Sequence, residues 1–184
     1  TDEDGDMTGI GMWVPSPRLT VSITDDWFRA EDFPREDHVT VSIYNYLGDP
    51  EPWQEVRTTD ENGFLFVGGW EFELDLAPDM VVEVSHELVT KSIELEPITM
   101  YVVDEERDYL AGSAPPERDL WVGAGNEFEG YGFNVPSNSD GFWEADFYAE
   151  GFDILADMWK AVQVFDEDWD ATEANPGFPR GSHD

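Results

Sequence analysis

The chain has 184 residues, and 43 Asp and Glu face nine Lys and Arg for a formal net charge of −34. Such a field repels nucleic-acid phosphates and anionic headgroups, which argues against nucleic acid and membrane insertion as partners. The absence of cysteine excludes disulfides, thiol catalysis and cysteine-ligated metal.

The same charge repels itself in a folded chain, so a cation must relieve it. Salt, calcium, low pH or a basic partner would serve; a halophile's solvated surface is one reading and chelated calcium another, and composition does not separate them. Twelve Phe, eight Trp and six Tyr favour pleated sheets, where flat side chains pack well. Sixteen Gly and twelve Pro suit many turns rather than long helices. No apolar run reaches the length of a membrane span, and no charged-then-apolar leader opens the chain. Thr1 is no initiator, so a leader or an upstream domain is expected to precede it.

Residues 1–9 are acidic and lack an apolar face. Asp2, Glu3, Asp4, Asp6 and Thr8 match Asp166, Glu167, Asp168, Asp170 and Thr172, as in a piece of a longer array that opens on the end of a preceding copy. Residues 10–96 read as a first unit. Leu19–Ile23 alternates as a strand does. Pro34 introduces Val39–Tyr46, with Val39, Val41 and Ile43 on one face and Thr40, Ser42, Tyr44 and Tyr46 on the other. Further strands are expected at Trp53–Arg57, Phe64–Val67, Glu71–Leu76, Met80–Val84 and Lys91–Leu95.

Residues 97–172 read as a second unit. Ile98–Val102 mirrors the opening strand. Ala114–Val122 mirrors Phe33–Val41 at an offset of 81 positions. Strands follow at Gly130–Val135, Phe142–Phe147 and Trp159–Val164. A helix over 151–164 competes, because Phe152, Leu155 and Trp159 fit a 3.6-residue period. The matching first-half segment carries Pro78 and alternates, which favours strand. Residues 173–184 form a Pro- and Gly-rich tail, expected to be tied down by a neighbouring subunit.

Two stretches bind this reading together. Thr59-Asp-Glu-Asn-Gly-Phe64 and Asn138-Ser-Asp-Gly-Phe142 each close a polar run on Asn-Gly or Asp-Gly before switching to aromatics. That step marks a tight turn, since Gly takes positive φ freely. In each half a Met, Met80 or Met158, stands 17 positions beyond the Gly. About seven short strands per half and frequent turn signals predict an all-β chain of two tandem Ig-like antiparallel β-sandwich units.

The run Pro-x-x-x-x-Val-x-Val, then Thr-Asp-Glu-Asn-Gly-Phe, then Leu-x-Pro-Asp-Met and an acidic close resembles the Ig-like, carboxypeptidase-regulatory-like repeats of large secreted bacterial surface proteins. The second unit, with Ala-Gly-Ser-Ala-Pro-Pro (111–116), Ser-Asp-Gly-Phe-Trp-Glu-Ala-Asp-Phe (139–147) and Asp-Glu-Asp-Trp-Asp-Ala-Thr (166–172), is the nearer match. The likeness covers nearly all of residues 10–172. It implies a non-catalytic role at the cell surface or outside the cell: spacer, adhesion, matrix or carbohydrate attachment. It carries no catalytic residue over.

Candidate sites are few. The alternate carboxylates Asp2/Asp4/Asp6 and Asp166/Asp168/Asp170 could supply oxygens to calcium, although Trp13 stands where an EF-hand needs Glu. A solvated acidic linker is the plainer reading. Ser85-His86-Glu87 has the residue types of a hydrolase triad, but neighbours in a strand point to opposite faces. Tyr44 and Tyr46 share an outward face and, with Trp53, form a candidate glycan platform. Trp121, Trp143 and Trp159 fall in strand patterns and are expected in the core. The leading expectation is an extracellular structural or adhesive module that polymerises through tails and strand edges with cation-dependent contacts; a carbohydrate-binding accessory module is the alternative.

Overall fold

A computed structural model describes residues 16–71, 74–87 and 89–176. The first half contributes β1 (Arg18–Ser22), β2 (Trp27–Glu31), β3 (His38–Tyr44), β4 (Trp53–Thr58), β5 (Leu65–Gly68), β6 (Val81–His86) and β7 (Val89–Glu94). The second contributes β8 (Thr99–Asp104), β9 (Tyr109–Ser113), β10 (Asp119–Gly125), β11 (Gly130–Pro136), β12 (Phe142–Asp146), β13 (Trp159–Phe165) and β14 (Ala171–Ala174). Each half is a three-on-four sandwich: β1-β2-β5 over β4-β3-β6-β7, and β8-β9-β12 over β11-β10-β13-β14. One core cluster draws on residues from Leu19 to Leu95, the other on residues from Ile98 to Ala174, and Ile23 packs against both.

Period-two alternation puts the core where the sequence implies. In β3, Val39, Val41 and Ile43 are buried inward, and in β10 Leu120, Val122 and Ala124 do the same. The two Gly corners are geometric copies. Gly63 and Gly141 both have φ of 78°. Asp60 Oδ1 accepts the amides of Asn62 and Phe64, each at 2.8 Å. Asn138 Oδ1 accepts those of Asp140 and Phe142 at 2.9 and 3.0 Å. These are side-chain-closed turns in which a short polar group replaces a backbone carbonyl. The Thr59 and Ser137 hydroxyls brace the corners by donating to Pro34 O at 2.5 Å and Pro115 O at 2.6 Å. Gly63 O and Gly141 O accept from Phe33 N and Ala114 N at 3.1 and 2.8 Å. Upstream of the corners, Asp26 and Asp108 share positive φ and accept the amides of Leu76 and Ile154, each at 2.8 Å.

Several expectations need correction. Glu71–Leu76 is not a strand: residues 74–77 are irregular, and residues 72–73 lie outside the described set. Leu76 still points inward because the Asp26 carboxylate fixes its amide. The helix over 151–164 does not form; residues 152–158 are turns and irregular chain, and β13 follows. The tail expected from residue 173 begins later, since β14 runs through Ala174. Among the large aromatics, Trp143 is buried as expected, but Trp121 is only partly covered and Trp159 is 49% exposed. Both lie on the outer face of their sheet, where alternation within each strand places them opposite Leu120, Val122 and Val162.

The larger departure is topological. The four-stranded sheet of the second sandwich does not end at β14. β14 pairs antiparallel with β13 on one side and parallel with β1 of the first sandwich on the other, with Thr20 opposite Ala171 and Ser22 opposite Glu173. A single seven-stranded sheet, β11-β10-β13-β14-β1-β2-β5, therefore runs through both halves.

Candidate functional site

The residues singled out from sequence fall in three places. Tyr44 is half-buried and donates to Glu83 Oε1 at 3.4 Å. Tyr46 is 55% exposed just beyond the end of β3. Trp53 pairs with Ile43 and packs against the first core, so it sits on the face opposite Tyr44. The structure thus leaves the three aromatics on two faces. Asp2, Asp4 and Asp6 lie outside the described residues.

Asp166, Asp168 and Asp170 are close in space but turned to different partners. Asp166 Oδ1 accepts the amides of Asp168 and Asp170 at 2.9 and 3.0 Å. Asp168 Oδ2 meets Lys91 Nζ of β7 at 2.9 Å. Asp170 is fully buried; its Oδ1 accepts the Leu19 amide at 2.7 Å. Its Oδ2 lies 3.2 Å from Lys91 Nζ but out of hydrogen-bonding alignment. Among the described residues no group of three or more His, Asp or Glu is arranged to hold a metal. The acidic loop fastens one sandwich to the other.

The charges at this fastening are perturbed accordingly. Burial raises the Asp170 carboxyl above its usual range, against the pull of the Leu19 amide and of Lys91. Burial opposes the Lys91 charge, but Asp168 and Asp170 outweigh it and hold the ammonium above its ordinary value. Further bonds cross the same seam. Glu96 N donates to Thr172 Oγ1 at 3.1 Å. Ile23 N donates to Glu173 O at 3.0 Å, and Asn175 Nδ2 donates to Asp25 Oδ2 at 2.6 Å. Arg118 reaches from the second sandwich to Glu96 between the halves at 2.8 Å and to Phe165 O at 2.7 Å.

Above the seam lies an open cleft of about 720 Å³ on the outer face of the shared sheet. Sheet register lays Asn134, Trp121, Gln163, Glu173, Ser22, Trp27 and Gly68 side by side on successive strands, and Trp121, Gln163, Glu173 and Trp27 of this row line the cleft. Gln163 Nε2 donates to Glu173 Oε2 at 2.6 Å. Burial pushes the Glu173 carboxyl up, while Gln163 and the Arg29 charge pull it down. Trp121 lies across Gly123 and Gly132, where any Cβ would strike its ring. Trp159 stacks beside it, ring centres 6.3 Å apart at 23°. At the far end Trp27 meets Phe66 at 5.7 Å, and Phe66 meets the 81%-exposed Trp70 at 6.2 Å.

No family model and no curated protein matches the chain. Solved structures do. A tetra-tandem repeat from the extending region of a large adhesion protein is 13% identical over 88% of this chain and 49% of that one, with a TM-score of 0.31. A two-domain fibronectin type III segment of chicken tenascin is 10% identical over 84% and 94%, at 0.28. A Ca2+-stabilised ice-binding adhesin of an Antarctic bacterium is 14% identical over 88% and 48%, at 0.26. The chain spans about half the length of the first of these structures.

The junction leaves little trace in the sequence for a physical reason. Ala171-Thr-Glu-Ala174 has no large apolar residue and no alternation to see. Its strand exists because both of its edges are paired. The one available signal was the outward parity of Trp27, Trp121 and Trp159 within otherwise alternating runs.

Proposed function

We propose that this chain is a non-catalytic module of an extracellular or cell-surface protein, with a structural and adhesive role in which two sandwiches act as one stiff body. The observation that supports this reading is the parallel pairing of β14 with β1. Tandem domains joined by a linker alone swing relative to one another. Here backbone hydrogen bonds, a buried carboxylate and the Lys91 ion pairs join them, and Ile23 belongs to both cores. Such a joint transmits force and fixes the spacing of whatever the module carries.

Cations belong to this reading through the net charge of −34. Calcium or salt screens the acidic faces and allows one copy to approach another. Self-association would use the strands that end each sheet, β4, β5, β7, β8, β11 and β12, because β1 and β14 are already paired on both sides. Small-angle scattering of the purified chain, with and without calcium and with chelator, tests the proposal. One rigid envelope matching the paired sandwiches is expected in each condition at moderate salt. Scattering that requires two independently oriented bodies would overturn it. Sedimentation in the same buffers reads the cation-dependent association separately.

A further inference from the structure

We infer that the cleft over the β14–β1 junction is a binding site for a neutral oligosaccharide. The inference rests on the adhesive reading above and names the ligand class. Trp121 and Trp27 stand four strands apart in one register row, about 19 Å at the usual inter-strand spacing. That span exceeds a single pyranose ring and fits a short chain of them.

The chemistry of the row matches such a chain. The apolar C–H face of a pyranose packs on a flat indole, and the cleft offers three. Trp121 is kept flat by the absence of side chains at Gly123 and Gly132, and Trp159 extends the same platform. Between the platforms lie the groups that hydroxyls need. Gln163 and the 93%-buried Glu173 present paired amide and carboxylate oxygens on the cleft floor. Arg29 lines the same cleft, and among the described residues no acceptor meets its buried Nε.

Charge decides against an acidic sugar. Asp25, Glu105 and Glu173 line the cleft with Arg29 and Lys160, and Lys160 is committed to Glu105 at 3.0 Å and to the carbonyls of Leu155 and Met158. The balance is negative, on a chain of −34, and repels uronates and sialates. A peptide adding as a strand is disfavoured as well, because β14 and β1 have no free edge here.

The test uses the full chain against an array of neutral glucose, galactose, mannose and N-acetylglucosamine oligomers, with uronate oligomers and a displayed peptide library as the other arms. Calorimetry and tryptophan fluorescence follow each hit. Binding of at least one neutral oligomer is expected, with a tryptophan emission change. Trp159→Ala and Gln163→Ala are expected to weaken it about tenfold or more, while Tyr46→Ala leaves it unchanged. Trp159 is half exposed, so its replacement should fold, and circular dichroism checks this; Gln163→Ala carries the test should it not. No neutral glycan bound, binding only of uronates or peptides, or a neutral hit indifferent to both substitutions would each overturn the inference. Scattering on the same sample separates the outcomes: lost glycan binding with an intact rigid envelope removes the ligand and leaves the structural reading standing.

Discussion

Replacing Gly63 or Gly141 by Ala probes the duplication and the joint together. Both residues sit at φ 78°, and a methyl on either would press into a backbone oxygen, Phe33 O or Ala114 O. A left-handed conformation costs an L-residue about 1–2 kcal/mol. Moving the opposing strand loosens the Phe33 N to Gly63 O or Ala114 N to Gly141 O bond, worth about 1 kcal/mol more. Each substitution should thus destabilise by ~2–4 kcal/mol, a fall in Tm of roughly 5–15 °C for a chain of this size. The two glycines serve different cores, so the shape of the transition is informative. If β14 depends on β1, losing either sandwich exposes the other, and both variants shift one common transition. Differential scanning calorimetry at moderate salt reads this. A shift under about 0.5 kcal/mol at either site would refute the corner argument. Two separable transitions, each moved by only one variant, would refute the coupling of the halves.

Other outcomes follow from the same contacts. Asp170→Ala strands the Leu19 amide and leaves Lys91 with Asp168 alone. A loss of about 3 kcal/mol is expected in urea unfolding, and less than 1 kcal/mol would mean the buried carboxylate is not the fastening. Lys91 has a raised folded-state pKa, so its contribution is complete below the unfolded value near 10.5 and disappears as pH climbs through the folded one; alkaline unfolding of the parent should show a loss that Lys91→Met lacks. Glu173 is also raised, so its contribution is present below 4.5 and lost as pH rises through its folded pKa. Glu173→Gln should therefore flatten the pH dependence of stability just above 4.5, and an unchanged profile would exclude that assignment. Trp143 fills the space that Gly112 leaves open, where the first sandwich has Leu65 opposite Ala30. Trp143→Leu should cost about 2–3 kcal/mol in urea unfolding, and adding Gly112→Ala should destabilise further, because its methyl would still strike the Thr99 backbone oxygen; a double variant as stable as Trp143→Leu alone would argue against this packing.

Much of the fold was legible because it is local. Val39, Val41 and Ile43 alternate with polar neighbours, and Gly63 and Gly141 follow residues whose side chains close the turn. β2 and β9 were harder to see. Trp27 faces outward and disguises the inward pair Phe28 and Ala30, while β9 is thin in large residues because Gly112 yields to the Thr99 backbone oxygen and to Trp143. The candidate site was hardly legible. Asp166, Asp168 and Asp170 read as a cation loop by spacing, yet their partners, Lys91 and the Leu19 amide, lie 77 and 151 positions away for Asp168 and Asp170 respectively.

The residue order alone determined two β-sandwiches, since period-two burial, side-chain-closed turns and positive-φ glycines act over a few residues and need no knowledge of the rest. It also determined the acidic shell, which is a matter of counting. Only the tertiary structure decided that β14 joins β1, that a buried Asp170 fastens the halves, and that Trp27, Trp121 and Trp159 face one cleft. Backbone pairing between strands so distant in sequence leaves no periodicity in the chain, because what it requires is a free edge in the right place rather than a particular side chain.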